Sequence, residues 1–96
     1  MADWFVYVLR CADGSYYTGI TTDLERRIAE HNHDKRGAAY TRARRPVSLV
    51  YRETCDSRSD AARREHRIRK MNREQKQDLI LGKASPTTRR SLESGQ

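Results

Sequence analysis

Tyr7 and Tyr17 stand ten residues apart, each in a short strand-like run, and Arg27 follows ten residues after the second. The runs are Phe5-Val6-Tyr7 and Tyr17-Thr18-Gly19, and the segment from Thr22 to His31 behind them reads as a helix. Two phenols, a guanidinium and the His31 imidazole in so short a stretch suit a phosphodiester. The planar fork of an arginine can grip two phosphate oxygens as charge builds, and a phenol can orient or deprotonate a water. An unperturbed phenol titrates at ~10, so it works as a base at neutral pH only where cations pull that value down, and Arg27 is the expected one.

Farther along the chain Glu65 is flanked by Arg63, Arg64, His66 and Arg67, yet helical spacing sets it on the stripe of Ala61, Ala62, Ile68 and Met71. A carboxylate turned inward must be paired or bind a metal, so a cation or an arginine such as Arg27 should meet it. The plain alternative is a pair with Arg69 one helical turn on, worth only ~0.3 to 0.5 kcal/mol. The other residues have plain alternatives too: Tyr7 and Tyr17 as aromatics packing across a hairpin, Arg27 as a solvated charge, His31 as a core-edge histidine. His31-Asn32-His33 lacks the further ligands that a zinc site needs.

These groups can act together only if the elements bring them together. The run Trp4 to Leu9 is unbroken in apolar, aromatic and β-branched residues, which predicts a middle strand covered on both faces. A loop of two residues, Asp13-Gly14, would send Tyr7 and Tyr17 to opposite faces. A loop of three, Ala12-Asp13-Gly14 with Gly14 left-handed, pairs Leu9 with Tyr17 and Tyr7 with Gly19 and puts both phenols on one face. The three-residue loop is the expectation, with Gly19 leaving room for a ligand backbone. Thr22-Asp23-Leu24-Glu25 has the form of a capping box, opening a helix to about Asn32 with Leu24, Ile28 and His31 inward. Val47 to Arg52 reads as a third strand. A cap at Ser57 to Asp60 opens a helical stretch to Leu81 that breaks near Met71-Asn72. The predicted fold is a small α/β (α+β) domain, a three-stranded antiparallel sheet flanked by helices, over residues 1–82, with a polar tail over 83–96.

Length and charge narrow the partners. The 96 residues suffice for one modest core. A net charge of +7, from 20 Lys and Arg against 13 Asp and Glu, attracts polyanions, nucleic acid first. Lys35, Arg36, Tyr40, Thr41, Arg42, Arg44 and Arg45 form a basic loop, with one helical turn and a tyrosine able to stack on an unpaired base, and are the expected nucleic-acid contacts. A membrane partner is set aside: no apolar run approaches the ~20 residues of a spanning helix. No secretory signal is legible, which predicts a cytoplasmic protein, and Cys11 and Cys55 read as small packing residues.

The two triads and the following arginine resemble the GIY-YIG nuclease superfamily, and residues 4–81 look like its small stand-alone bacterial, YhbQ-like group. Gly37-Ala38-Ala39-Tyr40-Thr41-Arg42, Pro46 to Tyr51 and Ala61-Ala62-Arg63-Arg64-Glu65 are similar to that group in content and order. The resemblance implies a metal-dependent endonuclease acting on DNA, single-stranded, double-stranded or branched, with DNA repair or recombination as its setting and a partner protein as one route to targeting. It casts Tyr7, Tyr17, Arg27, His31 and Glu65 as catalytic, with Glu65 the single protein carboxylate on one Mg²⁺ or Mn²⁺. Ile20 stands where many of these nucleases carry lysine. A nucleic-acid-binding module of the same fold that does not cut, or an RNA-directed protein, is the alternative.

Overall fold

The computed structural model describes residues 3–82; the tail expected over 83–96 lies outside them. Strand β1 (Trp4–Arg10) runs between β2 (Tyr16–Thr21) and β3 (Ser48–Cys55), antiparallel to both, in the order β2-β1-β3. The apolar run thus becomes the central strand, and Val6, Tyr7, Val8 and Leu9 are buried in succession. The hairpin has the expected register, Tyr7 opposite Gly19 and Leu9 opposite Tyr17. Cys11 closes it, donating its N–H to Ser15 O at 2.8 Å and accepting from Gly14 N at 2.9 Å, while Gly14 takes a positive φ of 84° that favours glycine.

Alternation splits the core in two. Val6 and Val8 face Ala61, Ile68 and Leu79, which come from α3 (Arg58–Lys70) and α4 (Arg73–Ile80). Tyr7 and Leu9 turn the other way, to Cys11, Val47, Tyr17 and the Leu24 and Ile28 side chains of α1 (Leu24–His33). A single-turn helix, α2 (Ala39–Arg42), stands in the basic loop as expected. The Asn32 amide fastens the end of α1 to the approach of β3, donating to Val47 O at 3.0 Å and accepting from Val47 N at 2.7 Å.

The helix ends follow local chemistry, with one correction. Asp23, not Thr22, caps α1 by accepting from Arg26 N, so the third helical residue is Arg26 and no reciprocal box with Glu25 forms. Ser57 caps α3. The long stretch breaks where expected: Met71 leaves the helical region, and Asn72 with Gln75 forms the capping box that starts α4. β3 runs three residues past the expected Arg52, to Cys55, because β1 pairs with it as far as Trp4.

Candidate active site

Tyr7 is the centre of the site. It is 1 % exposed, and its ring lies 6.5 Å from Tyr17 and 5.8 Å from His31, while Tyr17 and His31 are 5.1 Å apart. The register gives both phenols one face, and α1 carries His31 onto them. The Gly19 expectation needs correcting. The space opposite Tyr7 is not open to a ligand, because a Cβ on Gly19 would come within 2.6 Å of Tyr7 Cζ. The glycine is the seat of the phenol itself.

One assignment of the protons meets all of the hydrogen bonds around His31. The Thr41 hydroxyl donates to Ala38 O at 2.9 Å, so its oxygen is left to accept from His31 Nδ1 at 2.7 Å. With its proton on Nδ1, the neutral imidazole has Nε2 as acceptor, and the Tyr7 hydroxyl donates to it at 2.8 Å. His31 has no exposed surface. Burial, aided by Arg27 and Arg45 and opposed by Glu30, pushes its pKa down to about 4, so it is neutral at pH 7. In that assignment the chain Tyr7, His31, Thr41, Ala38 runs in one direction.

Arg27 is placed and oriented by its own helix and by the basic loop. Its Nη1 donates to Glu30 Oε1 and to Arg36 O, each at 2.9 Å. Burial works against its charge, but Glu30 and the Tyr7 oxygen outweigh that and keep it protonated. Its effect on the phenol corrects the sequence expectation. Burial and Tyr17 push the Tyr7 pKa up to about 12, with Glu65 adding to the rise, and Arg27 offsets only part of it. Tyr7 is a neutral phenol in the resting protein.

Glu65 points inward only in part, with 21 % of its side chain exposed, and its partner is Arg69, Nη2 to Oε2 at 3.5 Å, rather than Arg27. Its charge nonetheless reaches the phenol. Among the described residues no group of three or more His, Cys, Asp or Glu stands where it could hold a metal ion. A site built from many protein ligands therefore does not fit. A hydrated Mg²⁺ or Mn²⁺ needs one carboxylate, with water and substrate phosphate supplying the rest, and Glu65, held only by one long contact to a largely exposed arginine, suits that role.

The basic loop differs most from its reading in the sequence. Thr41 is fully buried and cannot meet a nucleic acid. Arg45 is partly buried and caps the end of α1, donating to His31 O, Glu30 O and Asp34 O. Arg44 pairs with Asp13 at 3.0 Å and donates to Tyr40 O, and Arg42 donates to Lys35 O. Lys35 and Arg36 remain exposed, and Tyr40 stacks on Tyr17 with Arg44 over its ring. Sequence reasoning missed Glu30, the burial of Thr41 and the hold of Arg45 on the end of α1. Glu30 stands three residues after Arg27, a spacing that signals a helix-face pair.

A family model described as the GIY-YIG catalytic domain matches residues 3–78. The chain belongs to the GIY-YIG family. It is 57 % identical over 77 residues to a UPF0213 protein of Desulfotalea psychrophila, covering 80 % of this chain and 70 % of that one. A Staphylococcus haemolyticus UPF0213 protein is 52 % identical over 80 residues, 83 % of this chain and 96 % of the relative. The solution NMR structure of the UPF0213 protein BH0048 from Bacillus halodurans is 42 % identical, with a TM-score of 0.55 over 88 % of each chain. That of protein EF2693 from E. faecalis is 38 % identical, with a TM-score of 0.60 over 85 % of this chain and 86 % of that one. This GIY-YIG chain thus sits among small relatives of its own size. No helix among the described residues is long and apolar enough to cross a membrane.

Proposed function

We propose that this GIY-YIG chain is a cytoplasmic endonuclease that hydrolyses DNA phosphodiester bonds with one divalent metal ion, Mg²⁺ or Mn²⁺, held through Glu65. The observation that carries this reading is the hydrogen-bonded chain from the Tyr7 hydroxyl through His31 to Thr41, with Arg27 beside the phenol. Any buried phenol needs a hydrogen-bond partner; what supports the reading is that the partner here is a neutral imidazole, a group able to take up a proton.

In the reaction, Tyr7 receives the proton of the attacking water while its own proton passes to His31 Nε2, the water oxygen bonds to phosphorus, and the bond to the leaving oxygen breaks. The order matters. Because burial raises the phenol and lowers the imidazole, moving a proton fully from one to the other in the resting protein is strongly uphill. The transfer is therefore concerted, and free phenolate never accumulates. His31, buried and disfavoured as a cation, then returns the proton through Tyr7, and by way of water it reaches the leaving oxygen, so that the products are a phosphate monoester and a free hydroxyl. Arg27, held by Glu30 and Arg36, presents its guanidinium to the charge growing on the phosphate oxygens. The metal bound by Glu65 would add Lewis-acid stabilisation of the phosphate and the leaving oxygen.

A nicking assay on supercoiled, single-stranded and branched DNA with Mg²⁺ or Mn²⁺ tests this reading. Wild-type protein should cut and Glu65→Gln should not. Absence of cutting on every form, with binding retained, would establish the second reading, a binding module that does not cut. Ile20, in the place of the lysine many nucleases of the superfamily carry, is the observation that favours it.

A further inference from the structure

The loop that the sequence nominates for substrate spends Arg42, Arg44 and Arg45 on its own backbone and on Asp13. A better-furnished surface lies on the other side of Tyr17. A cleft of about 280 Å³ is lined by Tyr16, Tyr17 and Thr18 of β2, Tyr40 of α2, Arg69 of α3 and Lys76 of α4. It adjoins the reacting groups, because Tyr17 is in ring contact with His31 on one side and lines the cleft on the other. It also borders the Glu65 carboxylate through Arg69, the partner of that residue.

The cleft has the two features that a nucleotide strand requires. Its cations are available: Lys76 makes no side-chain hydrogen bond or ion pair among the described residues, and Arg69, with 55 % of its side chain exposed, is held only by the 3.5 Å contact to Glu65. Its aromatic walls are braced. Arg73 lies 5.0 Å over the Tyr16 ring and donates to Gly14 O at 3.0 Å, which fixes that ring against the hairpin loop, and Tyr17 and Tyr40 are stacked 6.1 Å apart. Cations that track a backbone beside aromatic faces are the general means of holding a nucleic-acid strand.

Resting on the endonuclease reading, we infer that this cleft is a substrate subsite: it holds the nucleotide next to the scissile phosphate, with Lys76 and Arg69 on a flanking phosphate and the Tyr17 and Tyr40 rings along the base. The occupant is a nucleic-acid strand, not an acidic peptide, because two aromatic walls between two cations offer a peptide carboxylate nothing that the cations alone would not.

The test is a fluorescence-anisotropy titration of a labelled DNA oligonucleotide, in EDTA so that no cutting intervenes, over a range of salt. The proteins are wild type, Lys76→Ala, Lys76→Arg and, as a matched loss of charge from an exposed position on α3, Lys70→Ala. Lys76→Ala should weaken binding severalfold and reduce the slope of log K against log salt by about 0.7 for single-stranded and about 0.9 for duplex DNA. Lys76→Arg should keep the wild-type slope and Lys70→Ala should lie near it. Amide shifts on adding the oligonucleotide should centre on Tyr16, Thr18 and Lys76. Equal slopes for Lys76→Ala and wild type, shifts confined to residues 35–45, or a glutamate-rich peptide binding the cleft as tightly as the oligonucleotide would each overturn the subsite. Failure to nick DNA sinks the endonuclease reading and leaves this binding result standing on its own.

Discussion

Tyr7 and Gly19 divide a single volume between them: the phenol ring of one lies where the other would carry a side chain. The relationship is set by the hairpin register, which places the two opposite each other. It also makes the glycine a condition for the site. Gly19→Ala should push the Tyr7 ring away from His31, because the neighbour it strikes is a buried ring and not a flexible tip. The expected loss is about 1–3 kcal/mol of stability in urea denaturation, together with most of any nuclease activity. Wild-type activity in this variant would show that the position of the phenol is immaterial.

Thr41 is expected to set the histidine tautomer. Thr41→Val removes the partner of the buried His31 Nδ1, while Ala38 O keeps the Arg42 N–H, and leaving the imidazole nitrogen unmet should cost about 1–3 kcal/mol. Thr41→Ser should recover most of it. Long-range ¹H–¹⁵N NMR of the imidazole should find the proton on Nδ1 in wild type and in Thr41→Ser; a proton on Nε2 in wild type would reverse the direction of the relay.

His31 should make the fold acid-sensitive. Its folded pKa, about 4, lies below the ordinary 6.5, so the unfolded chain binds the extra proton first. This contribution is complete above pH 6.5 and is lost as pH falls from 6.5 towards 4, by up to roughly 3 kcal/mol. Urea midpoints between pH 4 and 8 should trace that fall, and His31→Gln should flatten it.

Arg45 should behave as a structural residue. Arg45→Ala removes charged donors from three carbonyls at the end of α1, and hydrogen bonds to charged groups are worth about 1.5–3 kcal/mol each. Lysine cannot reproduce the planar fork, so Arg45→Lys should restore little. Both variants should melt early, and in the folded state their salt-dependence of DNA binding should stay close to that of wild type.

The sheet was legible because period and punctuation agreed: an apolar run for β1, Gly14 for a left-handed turn position, and alternation to decide which face each tyrosine takes. The break before α4 was legible for the same reason, since Asn72 and Gln75 carry their own capping chemistry. The residues around the site were harder. A helix of four residues has no periodicity to tell which side turns in, so Thr41 and Arg45 passed for surface contacts when one is buried and the other holds a helix end. The phenol misled for an energetic reason: a sequence displays Arg27 but not the burial that outweighs it. Asp23 took the cap from Thr22 because either side chain can accept from the first turn, and spacing alone does not choose.

The central claim is that the Tyr7 hydroxyl carries the water's proton. Single-turnover cleavage of a DNA oligonucleotide with Mg²⁺ or Mn²⁺, comparing wild type with Tyr7→Phe and with Tyr17→Phe as a neighbour control, tests it most directly. Proton transfer by a positioned side chain contributes about 10²- to 10⁴-fold, so Tyr7→Phe should lose at least a hundredfold while its fold and DNA affinity persist. Tyr7→Phe cutting at the wild-type rate would contradict the account.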